Sequence, residues 1–384
     1  MNNIPLIKNT IKNSEIDSLI EWLKNYPRLT QGPIVKEFET QWSAFLGLKY
    51  SSFVNSGSSA LLLAYYALII KGLKSNLVVV PGLSWATDLS PVLQFGLKPI
   101  LCDCNMDDLS LDLDHLEEIL KNNNISIVNV VSVLGLVPDM DRLMSLKEKY
   151  GFYLIEDVCE SFGSKYKNKY LGLFGDISVF SLYYGHHLST IEGGMVCCEN
   201  PEIDQILKMI REHGWDRGLT EDQKAKIRAD HNTQNFSAPY TFYYPGFNVR
   251  GTDLQAFLGL SQLENAKTVI EKRNENFLRY LKRLNLEWKP KNTEDSYISN
   301  FCYPIISKNR NAIIDSLSQS GTETRPLICG TMGRQPFYSK IYGEMTLPNC
   351  DLVDKFGLYI PNNSDLSEEE LNIIINAVNE SKDS

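Results

Sequence analysis

Residues 139–157, DMDRLMSLKEKYGFYLIED, decide the fold class of this 384-residue chain. A charged stretch at 139–150 leads directly into the short apolar run 152–155, which two acidic residues close. This order is typical of a helix followed by a buried strand. A strand without polar–apolar alternation is covered on both faces, as the strands of parallel sheets are.

The same alternation of apolar run and helical stretch fills most of the first 200 residues. The other strand-like runs are 77–80, 98–104, 125–133, 176–182 and 195–198. They predict an α/β fold with a mostly parallel, mixed central sheet flanked by helices. We expect this large domain to span residues 1–250, with an N-terminal segment that packs on a second, smaller domain.

A polar, aromatic segment and the second domain follow. Residues 214–245 are longer than an ordinary loop of about 4–6 residues, and their aromatic side chains indicate an arm or lid with a contact surface. Leu254, Phe257, Leu258 and Leu263 predict one long helix from residue 252 to about residue 284. Residues 251–384 are therefore expected to form a linking helix and a smaller α+β domain.

Composition excludes several classes of function. Acidic residues outnumber basic ones by 47 to 38, and a net charge of −9 argues against a general nucleic-acid binder. The longest apolar run, 60–70, is about half of the ~20 residues that a membrane-spanning helix needs. None of the eight cysteines forms a C-x-x-C pair, which favours buried free thiols and no metal site. We expect a cytoplasmic protein without a membrane partner.

Two motifs stand where an α/β sheet binds ligands. The sequence SGSSA at 56–60 precedes a helical run, and it suits a phosphate or a simple helix N-cap equally well. Asp157 closes the 152–155 strand at the carboxyl end, where ligands of open α/β sheets bind. A carboxylate there could ligate a metal, pair with a cationic ring nitrogen or cap a helix.

The most specific motif is FSLYYGHH at 180–187, followed by EGG at 192–194. It places His186 and His187, two of the five histidines, just after a predicted strand. The other three histidines give no spacing typical of a metal site. From the residues alone, the pair is either functional or a pair of structural histidines.

These motifs, in this order, resemble the fold-type I pyridoxal-phosphate enzymes that act on nucleotide-linked sugars, the sugar aminotransferase superfamily. The resemblance covers nearly the whole chain, because it also includes RLTQGP at 28–33, EFE at 37–39, NSGSSA at 55–60 and NVRGTDLQA at 248–256. It implies pyridoxal 5'-phosphate (PLP) or pyridoxamine 5'-phosphate (PMP) as cofactor. It also implies a homodimer with shared active sites.

The resemblance implies a role for each residue of a cofactor site: Gly57, Ser58, Trp85, Asp157, Glu160, Ser181 and Asn248. The glycine and the two serines would hold the phosphate, and the tryptophan would stack on the pyridine ring. The aspartate would pair with the ring nitrogen, and the glutamate would contact the ring hydroxyl. The asparagine would reach the phosphate from a neighbouring subunit. Candidate substrate-binding residues, with ordinary surface or loop roles as the alternative, are His213, Arg250, Arg325 and Arg334.

One position departs from the aminotransferase pattern. Those enzymes carry a lysine five residues after the serine of F-S, and the residue here is His186. No lysine occurs between Tyr170 and Lys208, so a covalent lysine–cofactor bond is not expected from this segment. Histidine at this position is the mark of the sugar 3-dehydratases of the superfamily, in which it would be the catalytic base.

The resemblance therefore implies a 3-dehydratase that removes the C3 hydroxyl of a nucleotide-linked 4-keto-6-deoxy sugar, either GDP-4-keto-6-deoxy-mannose or a heptose analogue. L-Glutamate would be the amino donor, and ammonia and 2-oxoglutarate would be released, in 3,6-dideoxysugar biosynthesis for surface polysaccharide. No iron–sulphur cluster is expected, because no cysteine lies between Cys198 and Cys302. The alternatives are a nucleotide-sugar aminotransferase and a lysine-less cofactor-binding scaffold without activity.

Overall fold

The computed structural model describes residues 3–381 of the chain. Its helices are α1 Asn13–Leu23, α2 Pro33–Leu46, α3 Gly57–Lys71, α4 Ala86–Gln94, α5 Leu113–Asn122, α6 Met140–Tyr150, α7 Pro201–Ile210, α8 Glu221–Asp230, α9 Asp253–Glu264, α10 Ala266–Arg283, α11 Arg310–Gln319, α12 Pro336–Tyr342, α13 Pro348–Phe356 and α14 Glu368–Glu380. Its strands are β1 Tyr50–Val54, β2 Leu77–Pro81, β3 Lys98–Cys102, β4 Ile127–Val131, β5 Tyr153–Asp157, β6 Lys165–Tyr166, β7 Lys169–Tyr170, β8 Ile177–Ser181, β9 Gly194–Cys198, β10 Ser296–Tyr297, β11 Cys302–Ile306, β12 Arg325–Pro326 and β13 Gly357–Pro361.

The central sheet has seven strands in the order β1-β9-β8-β5-β4-β2-β3. Strand β9 runs antiparallel to both of its neighbours, and every other neighbouring pair is parallel. The carboxyl ends of the other six strands therefore meet at one edge. The predicted α/β fold with a mixed central sheet is confirmed.

Both faces of this sheet are buried, as the apolar strand composition predicts. In β2, Val78 and Val80 belong to one hydrophobic core, whereas Val79 belongs to a second one. Helix α3 packs on β8 and β9, and α2 packs on β1. The strands lie between two helical layers, which is why their sequences show no polar face.

The prediction of one long helix from residue 252 to about residue 284 was wrong. Two helices, α9 and α10, occupy this stretch, and they meet at Asn265. The N–H of Asn265 bonds to the carbonyls of Gln262 and Leu263 instead of continuing the helical pattern. The polar segment 214–245 also contains regular structure, because Thr220 and Gln223 form a capping box that begins α8.

The C-terminal part carries its own antiparallel sheet, with the strand order β11-β13-β12. Helices α11 and α14 pack against each other there. The N-terminal segment joins this part, because the N–H of Ile4 donates to the carbonyl of Gly321 at 2.8 Å. The division of the chain at residue 250 stays a prediction.

Two smaller expectations concern cysteines and membranes. All eight cysteines are free thiols, and six of them are buried. Among residues 3–381, no helix combines the length and the apolar character that crossing a membrane requires.

Candidate active site

A cavity of about 400 Å³ lies at the carboxyl edge of the central sheet. Its wall includes the ends of β4, β5 and β8 and the start of α3. The C-terminal part adds Phe301, Arg325, Ile328 and Tyr359. Eight residues predicted to bind cofactor or substrate or to act in catalysis line it: Gly57, Ser58, Trp85, Asp157, Glu160, Ser181, His186 and Arg325. The structure thus brings together residues that are far apart in the sequence.

The start of α3 provides a phosphate-sized cradle. Ser56 caps this helix, with its Oγ accepting a hydrogen bond from the N–H of Ser59 at 3.1 Å. The N–H groups of Gly57 and Ser58, in the first turn, have no acceptor inside the helix. A Cβ on Gly57 would lie only 2.8 Å from the Cβ of Ser181, so glycine is required for this close approach.

The two acids that end β5 point to different surroundings. Glu156 is turned away from the cavity, and it accepts hydrogen bonds from the N–H groups of Gly172, Phe174 and Gly175. Asp157 lines the cavity, and its Oδ1 accepts the N–H of Cys159 at 2.9 Å. Burial raises the pKa of Asp157 above its ordinary value, and the bond from Cys159 offsets part of that rise.

Glu160 connects the cavity to a tight turn. Its Oε2 accepts the N–H of Leu134 at 2.9 Å, and Leu134 adopts a left-handed backbone with φ of 52°. Burial raises the pKa of Glu160 to about 7. The carbonyl of Leu134 accepts the N–H of Phe301 at 2.9 Å, so the same turn holds the C-terminal part against the site.

His186 faces the cavity from the loop between β8 and β9. Its ring packs against that of Phe301, and its Nδ1 is buried without a hydrogen-bond partner among the described residues. Burial lowers the pKa of His186 to about 4, so the imidazole is neutral near neutral pH. A neutral imidazole with an unpartnered nitrogen is suited to accept a proton.

His187 has different surroundings although it is the next residue. Its side chain is buried outside the cavity lining, and its Nε2 donates to the carbonyl of Ser299 at 3.0 Å. This contact ties the loop to the C-terminal part. The geometry supports a structural role for His187.

Trp85 and Arg325 line the more open part of the cavity. Trp85 precedes α4, and 56% of it is exposed, so the indole is available to stack on a ligand. Arg325 bonds to Glu323 at 3.0 Å and contributes a positive charge to the wall. Among the described residues that line this cavity, none is a lysine.

Three predicted residues form a separate group away from the cavity lining. Asn248 pairs with Glu212 in a β-bridge, Arg250 bonds to the same glutamate at 3.4 Å, and the N–H of His213 donates to the carbonyl of Phe247. Arg334 is also outside the lining, because its guanidinium makes two bonds to Asp351 at 2.9 and 2.8 Å on the surface.

Sequence reasoning missed Asp88, Cys159, Phe301 and Tyr359, which also line the cavity. Asp88 left little signal, because an acid in the first turn of a helix is common whether or not it is buried. Phe301 and Tyr359 left none, because they reach the site only through the packing of the C-terminal part.

Comparison with known proteins adds to this geometry. The sequence profile of the DegT/DnrJ/EryC1/StrS aminotransferase family matches residues 9–379. This chain belongs to that family. Membership confirms the superfamily resemblance. Two features then need an explanation: the histidine at position 186 and the absence of lysine from the described cavity lining.

Several of the proteins that are similar to this chain share the same name. The GDP-4-keto-6-deoxy-D-mannose 3-dehydratase of Yersinia pseudotuberculosis is 30% identical over 392 residues, covering 97% of this chain and 98% of that protein. The structure of Escherichia coli GDP-4-keto-6-deoxy-D-mannose-3-dehydratase with bound hydrated PLP is 29% identical, with a TM-score of 0.87 over 98% of this chain and 100% of that chain. A structure of GDP-4-keto-6-deoxymannose-3-dehydratase with a trapped PLP-glutamate geminal diamine has the same TM-score and coverage at 28% identity.

Proposed function

We propose that this chain is a PLP/PMP-dependent 3-dehydratase. Its substrate is a nucleotide-linked 4-keto-6-deoxy sugar, GDP-4-keto-6-deoxy-mannose or a heptose analogue, and its product is the 3,6-dideoxy-4-keto sugar. The observation that carries the proposal is His186, which occupies the family's lysine position in a cavity whose described lining contains no lysine. The similarity to proteins named GDP-4-keto-6-deoxy-D-mannose 3-dehydratase supports the same substrate class.

The residues of the cavity fit the cofactor. The first-turn N–H groups of Gly57 and Ser58, with the hydroxyl of Ser181, would hold its phosphate, as helix N-termini do. Trp85 would stack on the ring, and the buried carboxylate of Asp157 would pair with the ring nitrogen. Bound in this way, the cofactor supplies an amino group for the C4 ketone and a ring that accepts electrons as the C3–O bond breaks.

His186 moves the proton in this scheme. Because the imidazole lines the cavity and is neutral near neutral pH, it can take up a proton and return it to the departing C3 hydroxyl oxygen. Phe301 packs on the ring and limits the access of water to it. Asp157 would supply a negative charge to the ring nitrogen, and Glu160 would supply an acid to the ring hydroxyl.

L-Glutamate is the amino donor in this proposal, and ammonia and 2-oxoglutarate are released. Arg325 is the cation that the described cavity lining offers to a carboxylate or a diphosphate. The group formed by Asn248, His213 and Arg250 lies outside the lining, and we assign it to the cavity of a neighbouring subunit in a homodimer. Exposed aromatic side chains of segment 214–245, including Phe236 and Tyr240, support a contact surface there.

The test is an incubation of the purified protein with PLP, L-glutamate and a panel of nucleotide-linked 4-keto-6-deoxy hexoses and heptoses. The proposal expects ammonia and 2-oxoglutarate in equal amounts with at least one of these sugars. The specificity constant measured for each sugar then identifies the preferred substrate. A 4-amino sugar formed without loss of the C3 oxygen would make the chain an aminotransferase. Release of neither ammonia nor 2-oxoglutarate with any sugar would make it a scaffold.

A further inference from the structure

We propose that Asp88 is a positioning residue that retains a proton and donates it, as a hydrogen bond, to Asp157. Both carboxyl groups line the cavity, the Oδ2 of Asp88 is buried without a donor, and burial and the negative charge of Asp157 raise the pKa of Asp88. The existence of the pair rests on the geometry of this chain alone, and its consequence for the cofactor rests on the proposed function. Asp88 acts through Asp157, so it is not assigned a catalytic role.

The surroundings of Asp88 favour the protonated acid. The residue lies in the first turn of α4 and is 1% exposed. Its Oδ1 accepts a hydrogen bond from Nδ2 of Asn129 at 2.6 Å, whereas no donor group reaches its Oδ2. A buried carboxylate oxygen without a donor is costly. The same oxygen carrying a proton has an acceptor in the carboxylate of Asp157.

The neighbouring groups decide which of the two acids keeps the proton. Two buried carboxyl groups in contact do not both ionise. The N–H of Cys159 supports the anion of Asp157, and the amide of Asn129 supports that of Asp88. Burial raises the pKa of both acids, but the side chain of Cys159 lowers the pKa of Asp157, whereas the charge of Asp157 raises the pKa of Asp88 further. Glu160 adds a further acidic group nearby, and burial together with these charges raises the pKa of Asp88 well above its usual range.

The hydrogen bond from Asp88 fixes the orientation of the carboxylate that would meet the ring nitrogen. The N–H of Cys159 stabilises the anionic form of Asp157, and a hydrogen bond from protonated Asp88 would do the same. A site that orients its charged group before the ligand arrives loses less free energy on binding. Removing the proton donor should therefore weaken cofactor binding, even though Trp85 and the phosphate cradle remain.

Asparagine is the informative replacement for Asp88. In Asp88→Asn the side-chain oxygen can accept from Asn129 while the amide donates to Asp157, which reproduces the bonding of the protonated acid. Asp88→Leu keeps a similar volume and removes both bonds. We expect PLP affinity within about twofold of wild type for the asparagine variant and a loss of about tenfold or more for the leucine variant.

Infrared spectroscopy of the cofactor-free protein tests the proton directly. Burial raises the pKa of Asp108 to about 7, so the spectra are taken at pH 9, where Asp108 is ionised. With carbon-13 in the side-chain carboxyl of every aspartate, the wild-type protein should then show a protonated-carboxyl band that Asp88→Asn removes. Asp253→Asn is the matched control, because Asp253 is equally buried but accepts the N–H groups of Gly32 and Val35. That variant should leave the band unchanged.

The outcomes separate this inference from the proposed function. Absence of the band from wild-type protein, or its persistence in Asp88→Asn, overturns the inference whatever reaction the enzyme catalyses. Equal PLP affinity of Asp88→Leu and wild type, measured by absorbance titration, overturns the positioning role. A band that behaves as expected in a protein without dehydratase activity leaves the pair standing and refutes the proposed function.

Discussion

The ring of His186 lies 5.1 Å from the ring of Phe301, measured between centroids, with an interplanar angle of 31°. Both backbone polar groups of Phe301 are hydrogen-bonded. Its N–H donates to the carbonyl of Leu134, and its carbonyl accepts from the guanidinium of Arg273 at 2.7 Å. The side chain at the family's lysine position is thus positioned by a residue 115 positions further along the chain. Burial, to which this packing contributes, is the main cause of the low pKa of His186, and the charge of Arg273 lowers it further.

Removing this ring should expose His186. In Phe301→Ala we expect the pKa of His186 to rise from about 4 toward its ordinary value of about 6.5, because solvation returns to the imidazolium. The turnover rate should fall by about tenfold, since the base is less well oriented. Histidine NMR titration of the cofactor-free protein and initial rates measure the two effects. Phe301→Leu, which keeps the apolar cover, is the control. A pKa that stays near 4 in the alanine variant would contradict this account.

Restoring the family's lysine should change the chemistry. His186→Lys is expected to form a covalent bond with PLP and to suppress dehydration, because a primary amine competes for the cofactor. Borohydride reduction followed by peptide mapping should find the adduct at residue 186 and at no lysine of the wild-type chain. Tyr184→Lys, on the same loop but outside the cavity lining, is the control and should give no adduct. An unchanged dehydration rate in His186→Lys would remove His186 from its proposed role.

The low pKa of His186 also affects stability. Between about pH 6.5 and pH 4 the unfolded chain binds a proton at this histidine and the folded chain does not, so its contribution to stability falls as the pH falls. The variant His186→Asn should therefore lose less stability than wild type between pH 7 and pH 5. Urea unfolding of both proteins at the two pH values provides the comparison. Identical pH dependence of the two proteins would mean that His186 titrates normally in the folded state.

Glu160 should be replaceable by an amide at little cost in stability. Glu160→Gln keeps an oxygen that can accept the N–H of Leu134, so we expect a change below about 1 kcal/mol in the free energy of unfolding. Glu160→Leu leaves that N–H without its partner and should cost about 1–3 kcal/mol. Urea unfolding of the two variants measures both values. Equal losses would show that the hydrogen bond to Leu134 contributes nothing.

A mixing experiment tests whether active sites are shared between subunits. His186→Asn and Asn248→Ala should each be nearly inactive alone, and mixing them under conditions of subunit exchange should restore activity. In the mixed dimer, a cavity with His186 intact receives an intact Asn248 from its neighbour. Mixing His186→Asn with the double variant that carries both substitutions is the control. No gain on mixing, with exchange verified, would place Asn248 outside a shared site.

Much of the fold followed from local composition. The runs that became β2, β4, β5 and β8 are rich in apolar residues, which indicated a covered sheet. Strand β1, with the sequence YSSFV, was not predicted, because its two adjacent serines leave only Phe53 and Val54 as an apolar pair. The break at Asn265 was also missed, since a regular hydrophobic pattern continues across it.

The candidate site was predictable where motifs lie at strand ends and helix starts. Asp157 closes a predicted strand and Gly57 precedes a predicted helix, so their place at the sheet edge followed from topology. Phe301 and the proton shared by Asp88 and Asp157 depend on how distant segments pack, which no spacing in the sequence records. Asn248 and Arg250 belong to the motif at 248–256 but lie outside this cavity lining, so their predicted roles depend on the proposed homodimer.

The mass and proton NMR spectrum of the sugar product test the central claim most directly. After incubation with PLP, L-glutamate and GDP-4-keto-6-deoxy-mannose, the account predicts a product lacking one oxygen, with a methylene group at C3 and no nitrogen on the sugar. The variant His186→Asn should make this product about 10²–10⁴ times more slowly. A wild-type product that keeps its C3 oxygen and carries nitrogen at C4 would contradict the account.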